Sequence, residues 1–597
     1  MGVDKSITPP RGKTGSQAGY PARWEWAFVG ILIALLIGFN AIWISLNDFP
    51  PYEHSCRNLQ ESAVAWQRWS KGCFFEPNFY PDGAYVTAVA AYAVAGFSLQ
   101  AAQYSMLFYL LPIVLSCWWM GRRWAGPWGG LLAALAAGAN PWLHTYLHGY
   151  ILEIPLLAWV SVSWALALES GGGKRPYPTL GLGLCLAGGM LVKWSYAFFM
   201  VPCWLWLLWR AGRERRGWQV GVGCALFALL FWVSAKITYA LALQHSSWLF
   251  SCDNGYYACA LEPGFMLALL WLGWSAHYLR RYRREGWSVA VNIALAAAIG
   301  VAGAGWWYYL DAPYLLNRAA SDLSQGAASS GLYVLLMPLL SALAGAPLWL
   351  AGAVAAGWRR ERTAVLLALA GLFFPILAYM CVGVPACSRY LFPASAAVAL
   401  SAAPWGRLPR LRYALAALLV LALAGNLGAM FWGSAPASCD ASTPQLGGPR
   451  WCQWALCAVP PRRDDTDLGE FTAAVQSALR QAGDTEVVGL VTSARSVDVD
   501  TLMLAANRRG RTLYIWRYMA SMGGLEDSGD SLICACGVQE GALRAEFPFL
   551  SSCRLLKKYS HASLGDWLLF ARPQRREGEY VRPAYAWTNG AIAEELR

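Results

Sequence analysis

The sequence predicts a polytopic α-helical membrane protein that carries a small α/β domain outside the membrane. Only 14% of the 597 residues are charged, whereas soluble domains carry roughly 25%. Apolar runs of about 20 residues, the length that crosses a bilayer, recur between residues 26 and 433. After residue 433 the pattern becomes amphipathic and more polar, which is typical of a domain folded in water.

The apolar runs predict about 13 membrane-spanning helices within a membrane domain at 26–433. Their approximate bounds are 26–46, 102–121, 126–142, 150–169, 178–196, 197–210, 217–238, 263–278, 287–308, 331–357, 363–383, 390–405 and 413–433. The first is expected to be a retained helix that follows a polar tail at 1–25. A short apolar segment at 84–97 is expected to lie at the membrane interface.

Basic residues predict the orientation of these helices. They cluster in every second loop, for example at Arg122 and Arg123, at Lys174 and Arg175, and at 280–284. Loops rich in lysine and arginine stay in the cytoplasm. The sequence therefore predicts a bacterial cytoplasmic-membrane protein with its N-terminus inside. The same pattern accounts for the net charge of +12 without a nucleic-acid partner.

The C-terminal part, 434–597, is predicted to be an extracytoplasmic α/β domain. Its expected helices are 467–482 and 498–507, and its expected strands are 486–491, 512–516, 531–536 and 566–570.

Cysteines are frequent in the segments that this topology places outside. Cys56 and Cys73 share the first outer loop, and Cys252 and Cys259 share a later one. In an oxidising compartment such pairs predict disulfides. Zinc at the C-terminal Cys534–Cys536 segment is a weaker alternative, because no four-ligand spacing accompanies it.

The first outer loop, 47–101, is the strongest candidate for chemistry. Its most polar part, 47–85, follows the first span. That part holds a histidine and five acids: His54, Asp48, Glu53, Glu61, Glu76 and Asp82. A membrane protein that places such a cluster beside its first helix is expected to bind or react with something there.

Three charged residues lie at the outer ends of predicted spans: Glu153, Lys193 and Arg389. Charged side chains at such depths in a membrane cost free energy, so the residues that carry them are functional candidates. Bases there suit the phosphate of a lipid-linked substrate, and an acid suits deprotonation of an acceptor hydroxyl. A purely structural alternative is that Glu153 pairs with Lys193 and that Arg389 reaches lipid headgroups.

Four segments resemble the GT-C superfamily of membrane glycosyltransferases, in particular the branch of protein O-mannosyltransferases and lipid A aminoarabinose transferases. They are DFPPYEH with NFYPDGAY, ANPWLHTYLHGYILEIPLL, GGMLVKWSYAFFMVP and SRYLFPASAA. The resemblance covers about residues 26–435, and it rests on the order of the segments more than on any one of them.

The resemblance implies a polyprenyl-phosphate-sugar donor and an acidic base in the first loop. Relatives often carry Asp-Glu there, whereas this chain has Tyr52-Glu53-His54 with Asp48 upstream. Either Asp48 or Glu53 is therefore the expected base.

The resemblance also implies the roles of other residues. Those expected at the donor phosphate are Lys193, Arg389 and the adjacent Tyr390. Those expected to bind substrate are Glu76, Asp82 and Glu153. His54 and His245 are added as substrate-binding candidates because the predicted topology places them at the same outer face. Some relatives hold a divalent metal; no cofactor is firmly predicted here, and Asp48, Glu53 and Glu153 are the candidate ligands.

The predicted function is transfer of a sugar from a polyprenyl-phosphate donor to a lipid, glycan or protein acceptor at the outer membrane face, with inversion. The alternatives are a lipid or solute transporter or flippase, and a non-catalytic membrane binding protein. A transporter is less favoured, because the charges gather at one face instead of the bilayer midplane and the sequence shows no internal repeat.

Overall fold

The computed structural model describes most of the first 213 residues and selected later segments. The described residues are 21–47, 53–70, 80–213, 289, 291–305, 307–308, 374–375, 392–432, 487–492, 514–518, 532–536, 554–561 and 565–571. Within them, three helical segments are long and apolar enough to cross a membrane: Arg23–Leu46, Gln100–Gly138 and Leu411–Gly428. A helical membrane protein is therefore confirmed.

The described residues of the membrane part include twelve α-helices. They are α1 (Arg23–Leu46), α2 (Glu53–Ser70), α3 (Val86–Ala95), α4 (Leu99–Met106), α5 (Leu110–Gly138), α6 (Pro141–His148), α7 (Glu153–Glu169), α8 (Pro176–Val192), α9 (Tyr196–Arg213), α10 (Val291–Gly305), α11 (Ser395–Ser401) and α12 (Leu411–Trp432). Short 3-10 turns occupy Asp82–Ala84, Leu107–Tyr109, Phe392–Ala394 and Ala403–Arg407.

Helix α5 is two antiparallel limbs joined at a sharp reversal. Gly126 has φ of 79°, a conformation that glycine adopts without steric cost. A Cβ atom at Gly121 would lie 2.7 Å from that of Ala133, although a straight helix would separate residues 12 apart by about 18 Å. The reversal falls between the predicted spans 102–121 and 126–142, so each predicted span corresponds to one limb of α5.

The ends of α7 and α8 define the two ends of the helix bundle. Glu153 begins α7 and contacts Lys193, which follows α8; we call this the Glu153 end. Glu169 ends α7 and pairs with Arg175 just before α8, at 2.8 Å. Since α7 has 17 residues, the two ends lie about 25 Å apart.

The reversal of α5 lies at the other end, which we call the Arg122 end. Arg123 approaches Glu169 to 3.4 Å, and Arg122 Nε donates a 2.8 Å bond to Glu25 near the start of α1. Helix α1 then runs to the Glu153 end, where its last turns meet α6. Arginines therefore gather at one end of the described bundle, in agreement with the alternation predicted from the loops.

Helix α12 runs between the same two ends. Arg412 in its first turn lies over Trp128, close after the α5 reversal. Fourteen residues later, Asn426 donates a 2.7 Å bond to the carbonyl of Ala139, beyond the far end of α5. The chain therefore leaves α12 at the Glu153 end.

No helix was predicted within the loop 47–85, but the loop contains α2, because Leu59, Ala63 and Trp66 repeat at helical spacing and form a buried or half-buried face. Two predictions about local structure are wrong. The turn implied between the predicted spans 126–142 and 150–169 belongs mostly to α6. Asn140 caps that helix and Pro141 occupies its first turn, a start signal that the apolar pattern obscured.

The span expected at 390–405 is also wrong as a single helix. Its described part consists of the 3-10 turn Phe392–Ala394, α11 and the 3-10 turn Ala403–Arg407. Pro393 and Pro404 lie in the two turns, and proline removes a backbone donor that a continuous helix needs. The short helix expected at 84–97 is present as α3.

The C-terminal part contains a mixed five-stranded sheet. Its strands are β1 (Val487–Thr492), β2 (Tyr514–Tyr518), β3 (Leu532–Cys536), β4 (Arg554–His561) and β5 (Gly565–Ala571), in the order β2-β1-β3-β5-β4. β1 pairs in parallel with β2 and β3, whereas β5 is antiparallel to β3 and β4.

Four of these strands were predicted within two residues at each end. β4 was missed, because its two central lysines conceal the strand pattern. The helices predicted at 467–482 and 498–507 lie outside the described residues.

Candidate functional site

A buried ion pair forms the centre of the candidate site. Lys193 Nζ lies 2.7 Å from Glu153 Oε1, and the two side chains are only 5% and 3% exposed. The pair joins the first residue of α7 to the residue that follows α8. This contact is the structural alternative that the sequence left open, in which Glu153 pairs with Lys193.

Local backbone structure places the two charges. At Lys193 the chain leaves helical conformation, with φ of −162° and ψ of 132°, and α9 begins three residues later at Tyr196. Lys193 therefore occupies a break between two helices. Glu153 lies in the first turn of α7, where the helix dipole stabilises a carboxylate.

The end of the first outer loop packs against this break. Lys193 Nζ lies 5.2 Å from the centre of the Tyr80 ring, within the range of a cation–π interaction. A Cβ at Gly83 would lie 2.7 Å from the carbonyl oxygen of Leu191, so only glycine permits this close approach. Asp82, two residues after Tyr80, is also buried. The predicted residues Asp82, Glu153 and Lys193 are thus brought to one region.

Helix α2 reaches the same region from the other part of the loop. Asn58 donates a 3.2 Å bond to the carbonyl of Tyr150, three residues before Glu153. Glu53 and His54 lie on the first turn of α2, less than two turns before Asn58. Their backbone therefore lies near the Glu153 end, as the sequence predicts for a base and a substrate-binding residue.

The segment after Arg389 also reaches the Glu153 end. Phe392 packs edge-on against Tyr146 of α6, with ring centres 4.9 Å apart. Tyr390 and Arg389 lie two and three residues upstream of Phe392, outside the described residues. The described part of this segment is compatible with their predicted role beside Lys193.

A buried polar layer fixes α6 behind the site. A nitrogen of His144 lies 3.1 Å from the side chain of Asn40, and the other bonds the carbonyl of Gly138 at 2.9 Å. His148 stacks flat on Trp43 with ring centres 3.7 Å apart. These contacts tie α1 to α6 and give the site a rigid wall.

Sequence reasoning missed Tyr80 and Gly83. Both belong to the Tyr-Pro-Asp-Gly segment at 80–83, a turn signal that was noted for the resemblance and for Asp82, without a role for Tyr80 or Gly83. An aromatic residue followed by such a turn carried the available signal. That the turn packs on Lys193 depends on tertiary contacts, which no local pattern contains.

The side chains of the remaining predicted site residues lie outside the described part of the structure. Those outside the described residues are Asp48, Glu76, His245, Arg389, Tyr390, Cys73, Cys252 and Cys259, and the side chains of Glu53, His54 and Cys56 are likewise outside. The predicted disulfides therefore stay predictions. Within the described residues, no three metal-ligating side chains come together. Of the candidate metal ligands Asp48, Glu53 and Glu153, only the side chain of Glu153 is described.

The described helices define a polytopic helical membrane protein with a buried acid–base pair at one end of its bundle. No protein-family model matches the sequence, and no curated protein matches it. Two crystal structures of ArnT from Cupriavidus metallidurans are similar to it. The apo structure has 13% identity and a TM-score of 0.35, and covers 92% of this chain and 97% of its own. The structure bound to undecaprenyl phosphate has 12% identity and a TM-score of 0.32, with 92% and 98% covered.

Proposed function

We propose that the protein transfers a sugar from a polyprenyl-phosphate-sugar donor to an acceptor at the outer face of the membrane. The observation that carries this proposal is the position of Lys193, which is buried in a helix break between Glu153 and the ring of Tyr80. A cation held in this way, beside the acidic first loop, suits a phosphate that leaves with a lipid.

The energetics of the pair favour a role beyond packing. Two buried charges lose hydration, and well-packed apolar residues of similar size are often as stable or more stable. Charges inside membrane proteins commonly mark substrate paths. Lys193 and Glu153 also lie at helix ends and not in the middle of the bundle, as a site for a headgroup at the membrane surface requires.

The proposed reaction is one inverting displacement. Asp48 or Glu53 accepts the proton of an acceptor hydroxyl or amine, and the resulting nucleophile attacks the anomeric carbon. The bond between that carbon and the phosphate oxygen breaks, and polyprenyl phosphate leaves with the electron pair. Lys193 and Arg389 stabilise the negative charge that develops on the phosphate. Glu153 keeps Lys193 charged and oriented.

Replacing the two acids singly tests the proposal. Asp48→Asn and Glu53→Gln are assayed in purified protein for transfer from a polyprenyl-phosphate sugar. We expect one variant to lose about 10²–10⁴-fold in rate, the usual contribution of general acid–base catalysis. Glu61→Gln, on the same helix as Glu53, is the matched control and should retain activity.

Two outcomes would contradict the proposal. If both acid variants transfer sugar at the wild-type rate, the base is not in the first loop. If the reconstituted protein moves lipid-linked sugar across a bilayer without transfer to any acceptor, the protein is a flippase.

A further inference from the structure

A second cluster of charge lies at the opposite end of the bundle. Arg407, Arg410 and Arg412 fall within six residues between the last 3-10 turn and the first turn of α12. Arg407 and Arg410 are exposed, and Arg412 is half-buried. The proposed transfer reaction does not use them, since α7 alone separates the two ends by about 25 Å.

These arginines differ from their neighbours in having no acidic partner among the described residues. Arg122 is paired with Glu25, whereas Arg123 and Arg175 share Glu169. In the part of the chain that the structure describes, no carboxylate comes within 4.0 Å of the three arginines in 407–412. Their positive charge is therefore not balanced by any carboxylate of the described residues.

Aromatic rings hold one arginine of this cluster in place. The guanidinium carbon of Arg412 lies 5.0 Å from the centre of the Trp128 ring and 4.8 Å from that of Tyr413. Arg412 also donates a 3.0 Å bond to the Tyr413 hydroxyl. Ordering a long side chain in advance lowers the entropy lost when it binds an anion.

The backbone beneath the cluster is also fixed. Arg407 donates a hydrogen bond to the carbonyl of Trp124, at the end of the first limb of α5. A Cβ at Gly406 would fall against the backbone of Trp128 and Gly129, so the 3-10 turn is seated directly on the α5 reversal. The arginines are thus carried by a rigid corner of the bundle.

We propose that this corner binds the phosphate headgroup of an anionic phospholipid in the membrane leaflet at the Arg122 end. The position favours a lipid over a soluble anion, because residues 414–425 of α12 are all apolar and the helix is long and apolar enough to span a membrane from Leu411. Exposed tyrosine and tryptophan at such a boundary sit at headgroup depth. Arginine offers the planar donor fork that a phosphate accepts.

Lipid titration of the purified full-length protein tests this proposal. The protein in neutral detergent is titrated with phosphatidylglycerol or phosphatidylcholine, and bound lipids are counted by native mass spectrometry. We expect tighter binding of phosphatidylglycerol. Arg410→Gln should weaken that binding about fivefold, and the double variant with Arg412→Gln about thirtyfold. Each arginine near an anionic membrane surface contributes a similar amount to the free energy of binding, so the two losses multiply.

Lys174→Gln is the matched control, because Lys174 is an exposed basic residue beside Arg175 at the same end of the bundle. It should change the affinity less than twofold. Arg410 is exposed, and no hydrogen bond or ion pair of its side chain is formed among the described residues, so its variant tests the site even if the double variant is unstable. The proposal is overturned if wild type binds both lipids equally, if Arg410→Gln and Lys174→Gln behave alike, or if millimolar inorganic phosphate displaces the bound lipid.

Discussion

Lys193 Nζ lies 2.7 Å from Glu153 Oε1, and this ion pair links the start of α7 to the end of α8 with both side chains almost fully buried. The lysine belongs to a helix break and the acid to a helix start. The pair therefore joins α7 and α8 at the open end of their hairpin, opposite the connection between the two helices.

Breaking this pair on one side should destabilise the protein strongly. Lys193→Met or Glu153→Gln alone removes one member of a buried ion pair, and we expect a loss of about 3–5 kcal/mol. The double variant should recover most of that loss, since neutral groups of similar size often replace a buried pair without cost. Thermal unfolding in detergent measures all three. A double variant as unstable as the worse single variant would contradict this account.

The close approach of the first loop to α8 should depend on Gly83. In Gly83→Ala, the new methyl group would lie 2.7 Å from the Leu191 carbonyl, and the turn that carries Tyr80 and Asp82 must move away from Lys193. We expect a loss of about 1–3 kcal/mol, as for other overpacked sites, together with a lower transfer rate.

Gly38→Ala is the control for this substitution. No atom lies within 4 Å of a Cβ built at Gly38, and alanine favours a helix interior over glycine by about 1 kcal/mol. Its stability and activity should match or exceed those of wild type. Equal behaviour of the two alanine variants would show that the turn at Gly83 does not need its close contact.

The ion pair at the other end should matter for folding but not for chemistry. Arg122 Nε and Glu25 Oε2 are 2.8 Å apart and both residues are buried. Arg122→Met should cost about 3–5 kcal/mol in stability, yet the transfer rate per folded molecule should stay within twofold. A large loss of turnover in the folded fraction would place the reaction at the wrong end of the bundle.

The orientation predicted from the basic loops is testable with fusions. Alkaline phosphatase, which is active only outside the cytoplasm, should be active when fused after Trp432 and inactive when fused after Lys174. These positions lie at opposite ends of the described bundle. The reverse pattern of activities would invert the topology and move the Glu153 end to the cytoplasm.

The sequence predicted helices well where the apolar run had a clear length and clear ends. α1, α7, α8 and α12 begin and end within a few residues of their expected bounds, because hydrocarbon thickness imposes one length on each span. It failed at α2, where polar side chains hide a buried stripe. It also failed at 390–405, where two prolines divide one apolar run into three short pieces.

For the site, charge and depth were enough to find Glu153 and Lys193 and to place them at the same face. Their direct contact was foreseen only as one alternative, since a contact between α7 and α8 depends on how the helices pack. The ring of Tyr80 over Lys193 could not be foreseen at all. Its position follows from the seating of Gly83 on Leu191, which is a property of the assembled fold.

The most direct test of the central claim is sugar transfer by the double variant Glu153→Gln/Lys193→Met. Transfer from a polyprenyl-phosphate sugar is measured at equal amounts of folded protein, with wild type and Arg122→Met in parallel. Because removing one preorganised group that stabilises developing charge typically costs about 10²–10³-fold in rate, we predict a loss of that size in the double variant alone. A double variant that folds and turns over at the wild-type rate would show that the pair only supports the fold, and it would contradict the account.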